Sequence, residues 1–108
     1  MELRCILTTI GAHPVLQVSG ELDMATVPLL RDHLARAVDE HRGATLWVDL
    51  DGVTALDDTC LGMLLGAAGR AREAGGDLAL VASGERLRHR FALTGLDRAV
   101  TVAPTLPR

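Results

Sequence analysis

The chain has 108 residues, of which 48% are hydrophobic, and its formal net charge is −3. This length suits one domain with a real core, and the mild acidity gives no general attraction to nucleic acid or anionic membrane. All eleven basic residues other than His are Arg, which excludes chemistry that needs a lysine, such as a Schiff base or a Walker-type phosphate contact.

Aromatic residues and cysteines are scarce, which narrows the functional classes further. Trp47 and Phe91 are the only Trp, Tyr or Phe residues, too few for base stacking on nucleic acid. Cys5 and Cys60 lie far apart and have no zinc-site spacing. No stretch approaches the roughly 20 apolar residues of a membrane span, and no signal-peptide pattern is visible. We expect one cytoplasmic domain over residues 1–108, without cofactor or metal.

Strand and helix signals alternate along the chain. The first two strands are joined by a short Gly-Pro turn and predict an antiparallel hairpin. The later strands are each separated by a helix, so right-handed crossovers make them parallel. In chain order the predicted elements are strands over 3–9 and 15–19, a helix from about 26 to 40, a strand over 45–50, a helix from about 57 to 74, a strand over 77–82, a helix over 83–93 and a strand over 99–102.

The predicted fold is therefore α/β, with element order β-β-α-β-α-β-α-β. Its sheet is mixed and mostly parallel, with an antiparallel edge hairpin, and the helices pack on the sheet. Three local features carry further expectations. The hydroxyl of Thr26 is a candidate cap for the first helix. Asp51–Gly52 is a turn signal after the third strand. Three glycines that are poor helix formers indicate close packing of the second helix on the sheet, namely Gly62, Gly66 and Gly69.

Two acidic patterns suggest enzymatic readings. The run over 47–54 resembles the nucleophile motif of haloacid-dehalogenase-type phosphatases, with Asp49 and Asp51 as the two acids. That chemistry normally uses a lysine on the phosphate, so an exposed strand end is favoured. A magnesium site formed by Asp49, Asp51, Asp57 and Asp58 needs oxygens that converge on one point, and helix capping with turn formation is the favoured interpretation.

Two other features each have a simpler explanation than a functional one. The last third of the chain is locally basic, and a solvated helix face is favoured over a phosphate-binding patch. Its arginines are Arg86, Arg88, Arg90 and Arg98. Cys60 lies in a first helical turn, where the helix dipole can lower the pKa of a thiol, but a small half-buried residue is favoured over a redox sensor.

The segment Asp57-Asp58-Thr59-Cys60 has the most functional content. It starts the second helix, where negative charge is stabilised and where a phosphate changes a surface most. Related motifs extend over nearly the whole chain: Gly20–Asp23, Val48–Val53, Leu56-Asp57-x-Thr59 followed by Leu61–Leu65, Gly75–Gly76 and Phe91–Asp97. Together these motifs resemble the STAS family, the domain shared by sulphate transporters and anti-sigma-factor antagonists.

The resemblance implies a free-standing bacterial anti-anti-sigma factor. Such a protein docks on an anti-sigma factor, often itself a Ser/Thr kinase, and thereby frees a sigma factor. Phosphorylation of the hydroxyl residue after the Asp abolishes docking. The resemblance places the docking surface at Asp23, Asp57, Asp58, Thr59, Cys60 and Leu61. The sequence leaves open whether the chain is a monomer or a homodimer.

The chain departs from the family pattern at the phosphoacceptor. The usual run is Asp-Ser-Ser/Thr-Gly, whereas here Asp58 occupies the acceptor position and Cys60 replaces the Gly. Three readings remain: Asp58 mimics the modified state, the partner lacks kinase activity, or Thr59 takes the phosphate. Loss of the usual switch is favoured over use of Thr59. The alternative function is a STAS subunit of a transport or lipid-trafficking complex or of a larger signalling assembly.

Overall fold

The computed structural model describes residues 2–107, and its elements follow the predicted order with one addition. The elements are β1 (Arg4–Ile10), β2 (His13–Leu22), α1 (Val27–Glu40), β3 (Thr45–Leu56), α2 (Thr59–Glu73), β4 (Asp77–Val81), α3 (Glu85–Thr94), α4 (Leu96–Ala99) and β5 (Thr101–Ala103). The short helix α4 was not predicted. It follows Gly95, whose φ of 80° ends α3, and it delays the last strand by two residues.

The five strands form one sheet in the order β1-β2-β3-β4-β5. β1 pairs antiparallel with β2, and every later neighbour pairs in parallel, which confirms the predicted mixed sheet. The described part of the chain, residues 2–107, has no helix of the length and apolarity that crossing a lipid bilayer requires.

All four helices bury their apolar sides against the same face of the sheet. Leucines and valines at alternate strand positions form this core, because successive side chains of a strand point to opposite faces. Its fully buried members include Leu16, Leu46, Val48, Leu78 and Leu80 from the strands, and Leu30, Leu34, Leu64 and Phe91 from the helices.

The other face of the sheet carries a smaller cluster. It consists of Val15, Trp47, Ala79 and Val81, and the side chains of Ala103 and Leu106 pack against it. The ring of His13 meets that of Trp47 edge-on, with 6.2 Å between ring centroids.

The predicted turn at Asp51–Gly52 was wrong. β3 continues through both residues to Leu56, because β2 runs beside it in parallel as far as Leu22 and satisfies its backbone groups. Gly52 permits this pairing, since a Cβ at that position would lie 2.7 Å from the Cβ of Ser19. The longer pairing brings the ends of β2 and β3 to the same edge of the sheet.

The expectation for the three helical glycines was also wrong. A Cβ at Gly62, Gly66 or Gly69 would meet no atom within 4 Å, and Gly62 and Gly66 are exposed. The helical repeat places them opposite the side of α2 that buries Leu64 and its neighbours. They leave a flat strip of backbone on the outside of the helix.

Candidate functional site

The site lies where β2 and β3 end. Leu22 and Leu56 are register partners, and the amide of Asp57 donates a 2.8 Å hydrogen bond to the carbonyl oxygen of Leu22. Asp23 and Asp57 therefore follow neighbouring strands at one edge of the sheet, which is where open α/β sheets commonly place binding sites.

Asp57 caps α2. One oxygen of its carboxylate accepts hydrogen bonds from the amide of Thr59 at 3.0 Å and from the Thr59 hydroxyl at 3.1 Å. These bonds, the backbone one first, lower the pKa of the Asp57 carboxyl below its ordinary value. Asp58 is the residue at the cap position, but its side chain makes no capping bond. The capping expected of Asp57 or Asp58 thus belongs to Asp57.

Asp58 instead reaches across to α3. Its carboxylate oxygen Oδ1 lies 2.5 Å from Nη2 of Arg90, a residue 32 positions later in the chain. The Asp58 side chain is 78% exposed and that of Arg90 is 35% exposed. In the sequence Arg90 is one member of a basic stretch, and no local motif links it to Asp58. Its spacing of four residues from Arg86 places both on one face of α3, but this pattern does not indicate Asp58 as the partner.

Cys60 and Leu61 are not on the surface, which corrects their place among the expected docking residues. Their side chains are 0% and 7% exposed, because they point from the first turn of α2 into the core. Burial, followed by the nearby charge of Asp57, raises the pKa of the Cys60 thiol. A raised pKa leaves less thiolate and does not favour a redox role.

Asp23 organises the turn that leads into α1. Its Oδ1 accepts hydrogen bonds from the amides of Ala25 at 2.9 Å and Thr26 at 3.1 Å. The Thr26 hydroxyl donates to the carbonyl oxygen of Glu21 at 2.8 Å, and it makes no capping bond to α1. The cap expected of Thr26 was therefore wrong. Met24, at the tip of this turn, is 71% exposed.

Asp49 and Asp51, the two acids of the phosphatase-like motif, form hydrogen bonds within the protein. One oxygen of Asp51 accepts hydrogen bonds from Ser83, and Asp49 accepts one from the amide of Asp51 at 2.9 Å. Across residues 2–107, the structure brings no three His, Cys, Asp or Glu side chains together as a metal site.

A cleft with a volume of ≈ 310 Å³ lies between the end of β3 and α3. Arg90 lines this cleft and also contacts Asp58, so the cleft adjoins the start of α2. Its other lining residues are Asp51, Val53, Thr54, Ala55, Leu56, Ser83, Gly84, Arg86 and Leu87.

The mixed five-stranded sheet with its helices on one face, and a capped helix start at the carboxyl edge, define an α/β domain of the STAS type. A family model described as "Mlab, STAS domain" matches residues 6–104. The chain belongs to the STAS domain family, which confirms the resemblance seen in the sequence.

Individual relatives are similar over most of their length. An anti-sigma-B factor antagonist of Bacillus subtilis (strain 168) is 33% identical over 86 residues, which are 80% of this chain and 77% of the relative. The crystal structure of an anti-sigma factor antagonist from Mycobacterium paratuberculosis superposes with a TM-score of 0.85 at 30% identity, covering 97% of this chain and 88% of that one. The anti-sigma factor antagonist SpoIIAA in its unphosphorylated form shares the fold, with a TM-score of 0.73 at 21% identity over 93% of this chain and 88% of its own.

Proposed function

We propose that this chain is an anti-sigma factor antagonist: it binds an anti-sigma factor in the cytoplasm and so releases a sigma factor for transcription. It acts as a binding protein, not as an enzyme. The observation that supports this proposal most is the exposed side of the first turns of α2, which is available to a partner. The chain also belongs to a family in which similar members are named anti-sigma factor antagonists.

We define the docking surface by the exposed and half-buried residues at this edge of the sheet. The exposed ones are Met24, Asp58, Thr59, Gly62, Leu65 and Gly66, and the half-buried ones are Asp23, Asp57 and Met63, of which Met63 also packs against the core. Leu65 is 40% exposed and Met24 is 71% exposed, so apolar contact area is available beside the acids. The two exposed glycines leave the helix backbone accessible for close approach. Apolar groups surrounded by polar ones are the usual composition of a protein interface.

The docking surface has no hydroxyl at position 58, where the family resemblance places the phosphoacceptor. A carboxylate carries one negative charge, whereas a phosphate carries about 1.5 to 2 at neutral pH, and its geometry differs. Thr59 does carry a hydroxyl, but that hydroxyl donates to Asp57. We infer that the usual phosphorylation switch is absent and that docking does not depend on it.

A second candidate is a STAS subunit of a transport or lipid-trafficking complex or of a larger signalling assembly. The replacement of the expected acceptor by Asp58 supports it, because such a subunit needs no phosphorylation. Genes for kinase-like anti-sigma factors beside this gene would favour the first function, and transporter genes would favour the second.

Titration calorimetry with the anti-sigma factor encoded nearest to this gene tests the proposed function. We expect the wild-type chain to bind, and Gly66→Arg to bind at least about tenfold more weakly because its side chain covers the exposed strip of α2. Ala12→Arg adds the same side chain in the exposed β1–β2 turn, at the opposite end of β2 from Asp23, and should bind like wild type. Absence of binding by both wild type and Asp58→Ser would contradict the proposal.

A further inference from the structure

Among the three acids of the docking surface, Asp58 is the one that forms an ion pair, and its partner is Arg90. Within residues 2–107 the ion pairs are Arg90–Asp58 and Arg72–Asp77, and the second lies at the other end of α2. The other two acids are held differently: Asp57 by the amide and hydroxyl of Thr59, and Asp23 by two amides of its own turn. The charge of Asp58 is thus matched by a full positive charge.

Arg90 is held in place by its surroundings on α3. Its neighbour Phe91 is fully buried in the core and fixes this turn of the helix. The start of α3 is held by the two hydrogen bonds from Ser83 to Asp51. Arg90 lines the same cleft as Leu56 and Leu87, and its side chain is less exposed than that of Asp58. The backbone of Arg90 is thus fixed before docking, and only side-chain freedom is lost when it meets the carboxylate.

The ion pair between Asp58 and Arg90 affects the free energy of docking more than the stability of the free chain, because docking excludes water from it. In the free chain both groups are partly solvated, and such surface pairs contribute little to stability. A partner that covers the start of α2 removes that water. Covering an unpaired carboxylate is costly, whereas a pair that already exists enters the interface nearly neutral.

We propose that Arg90 is the built-in counter-ion of Asp58, so that the partner docks on a neutral pair and not on a free carboxylate. The proposal rests on the proposed function. It makes Arg90, which lies outside the helix that starts at Asp58, a positioning and charge-matching residue for docking. On this proposal Asp58 permits docking and does not block it as a phosphate at this position would.

A double-mutant cycle in affinity for the same anti-sigma factor tests this role. We expect Arg90→Ala to bind at least about tenfold more weakly, since it leaves Asp58 unmatched. The double variant Asp58→Asn/Arg90→Ala should return to within about threefold of wild type, because neither charge remains. Arg86→Ala is the matched control: it removes one positive charge from the same face of α3, and it should bind within about twofold of wild type.

Four outcomes would overturn the proposal. Arg90→Ala binding as tightly as wild type shows that the pair is irrelevant to docking. Equal weakness of Arg90→Ala and the double variant shows that Arg90 touches the partner directly. Tighter binding by Asp58→Asn than by wild type shows that Asp58 repels the partner as a phosphate would. Absence of binding by both wild type and Asp58→Ser refutes the proposed function itself, and this inference with it. Urea unfolding of each variant shows whether it is folded.

Discussion

A single carboxylate oxygen of Asp51 accepts hydrogen bonds from both the amide of Ser83, at 2.7 Å, and the Ser83 hydroxyl, at 3.0 Å. The contact joins the middle of β3 to Ser83, two residues before α3 begins at Glu85. Because Ser83 is engaged with Asp51, it makes no capping bond to α3, whose N-cap residue is Gly84.

Asp51→Ala should lower the free energy of unfolding by about 1–2 kcal/mol, because two hydrogen bonds to a charged group are lost. Urea unfolding measures the change. Ser83→Ala keeps the bond from the backbone amide and should lose about half as much. If the urea unfolding curves of Asp51→Ala and wild type have the same midpoint and slope, this contact does not stabilise the start of α3.

Substitution of two glycines should change stability in opposite directions. A Cβ at Gly76 would overlap the carbonyl oxygen of Ala44, so Gly76→Ala should cost about 1–3 kcal/mol. Gly66 is exposed in the middle of α2 with open space around it, so Gly66→Ala should add about 0.5–1 kcal/mol by helix propensity. The denaturant midpoint of each variant is compared with that of wild type. A lower midpoint for Gly66→Ala would show that the space outside α2 is not open at this position.

The capping of α2 by Asp57 should depend on pH at its acidic end. The pKa of Asp57 is held below the ordinary value of 3.8, first by the amide of Thr59 and then by its hydroxyl. A lowered pKa in the folded state gives stability that is fully present above pH 3.8 and disappears as the pH falls through the folded-state pKa. The stability difference between wild type and Asp57→Asn should therefore shrink below pH 3.8.

Carboxyl NMR gives a direct check on the same cap. The titration midpoint of Asp57 should lie below 3.8 in wild type. In Thr59→Val it should move part of the way back, since the amide donor remains while the hydroxyl is lost. A wild-type midpoint at or above 3.8 would contradict the capping geometry.

Asp58→Ser should restore a phosphoacceptor at the start of α2. Incubation with a kinase-type anti-sigma partner and ATP, followed by intact-mass measurement, should show one added phosphoryl group on Asp58→Ser and none on wild type. Thr59→Val in the Asp58→Ser background separates the two hydroxyls. An added phosphoryl group on wild type that is lost in Thr59→Val would show that Thr59 is the acceptor and that the switch has moved by one residue.

The order of strands and helices was predictable because the spacing of apolar residues along each segment indicates its secondary structure. Alternate apolar residues on β3 and the spacing of Leu30 and Leu34 on α1 both reflect burial on one side. Strand ends were less predictable, because pairing decides them. Asp51–Gly52 has the composition of a turn, but the neighbouring β2 keeps it extended.

The candidate site was predictable in position but not in contacts. The start of α2 could be placed from its acids, whereas the partner of Asp58 depends on how α3 packs. Leu61 lies three residues before Leu64, a spacing that already indicates burial, so its place among the docking residues, which came from the family resemblance, conflicted with its own helix pattern. The burial of Cys60 required the structure, since either side of the first turn suits a small residue.

Trp47 gives the chain a natural optical probe. It is the only Trp, there is no Tyr, and its ring is 8% exposed on the face of the sheet opposite the helices, with Leu106 packed against its cluster. Ultraviolet emission therefore reports whether the C-terminal segment lies on that face. Leu106→Ala should shift the emission to longer wavelength, while a partner on α2 should leave it unchanged. Fluorescence and docking can thus be read from the same sample as independent signals.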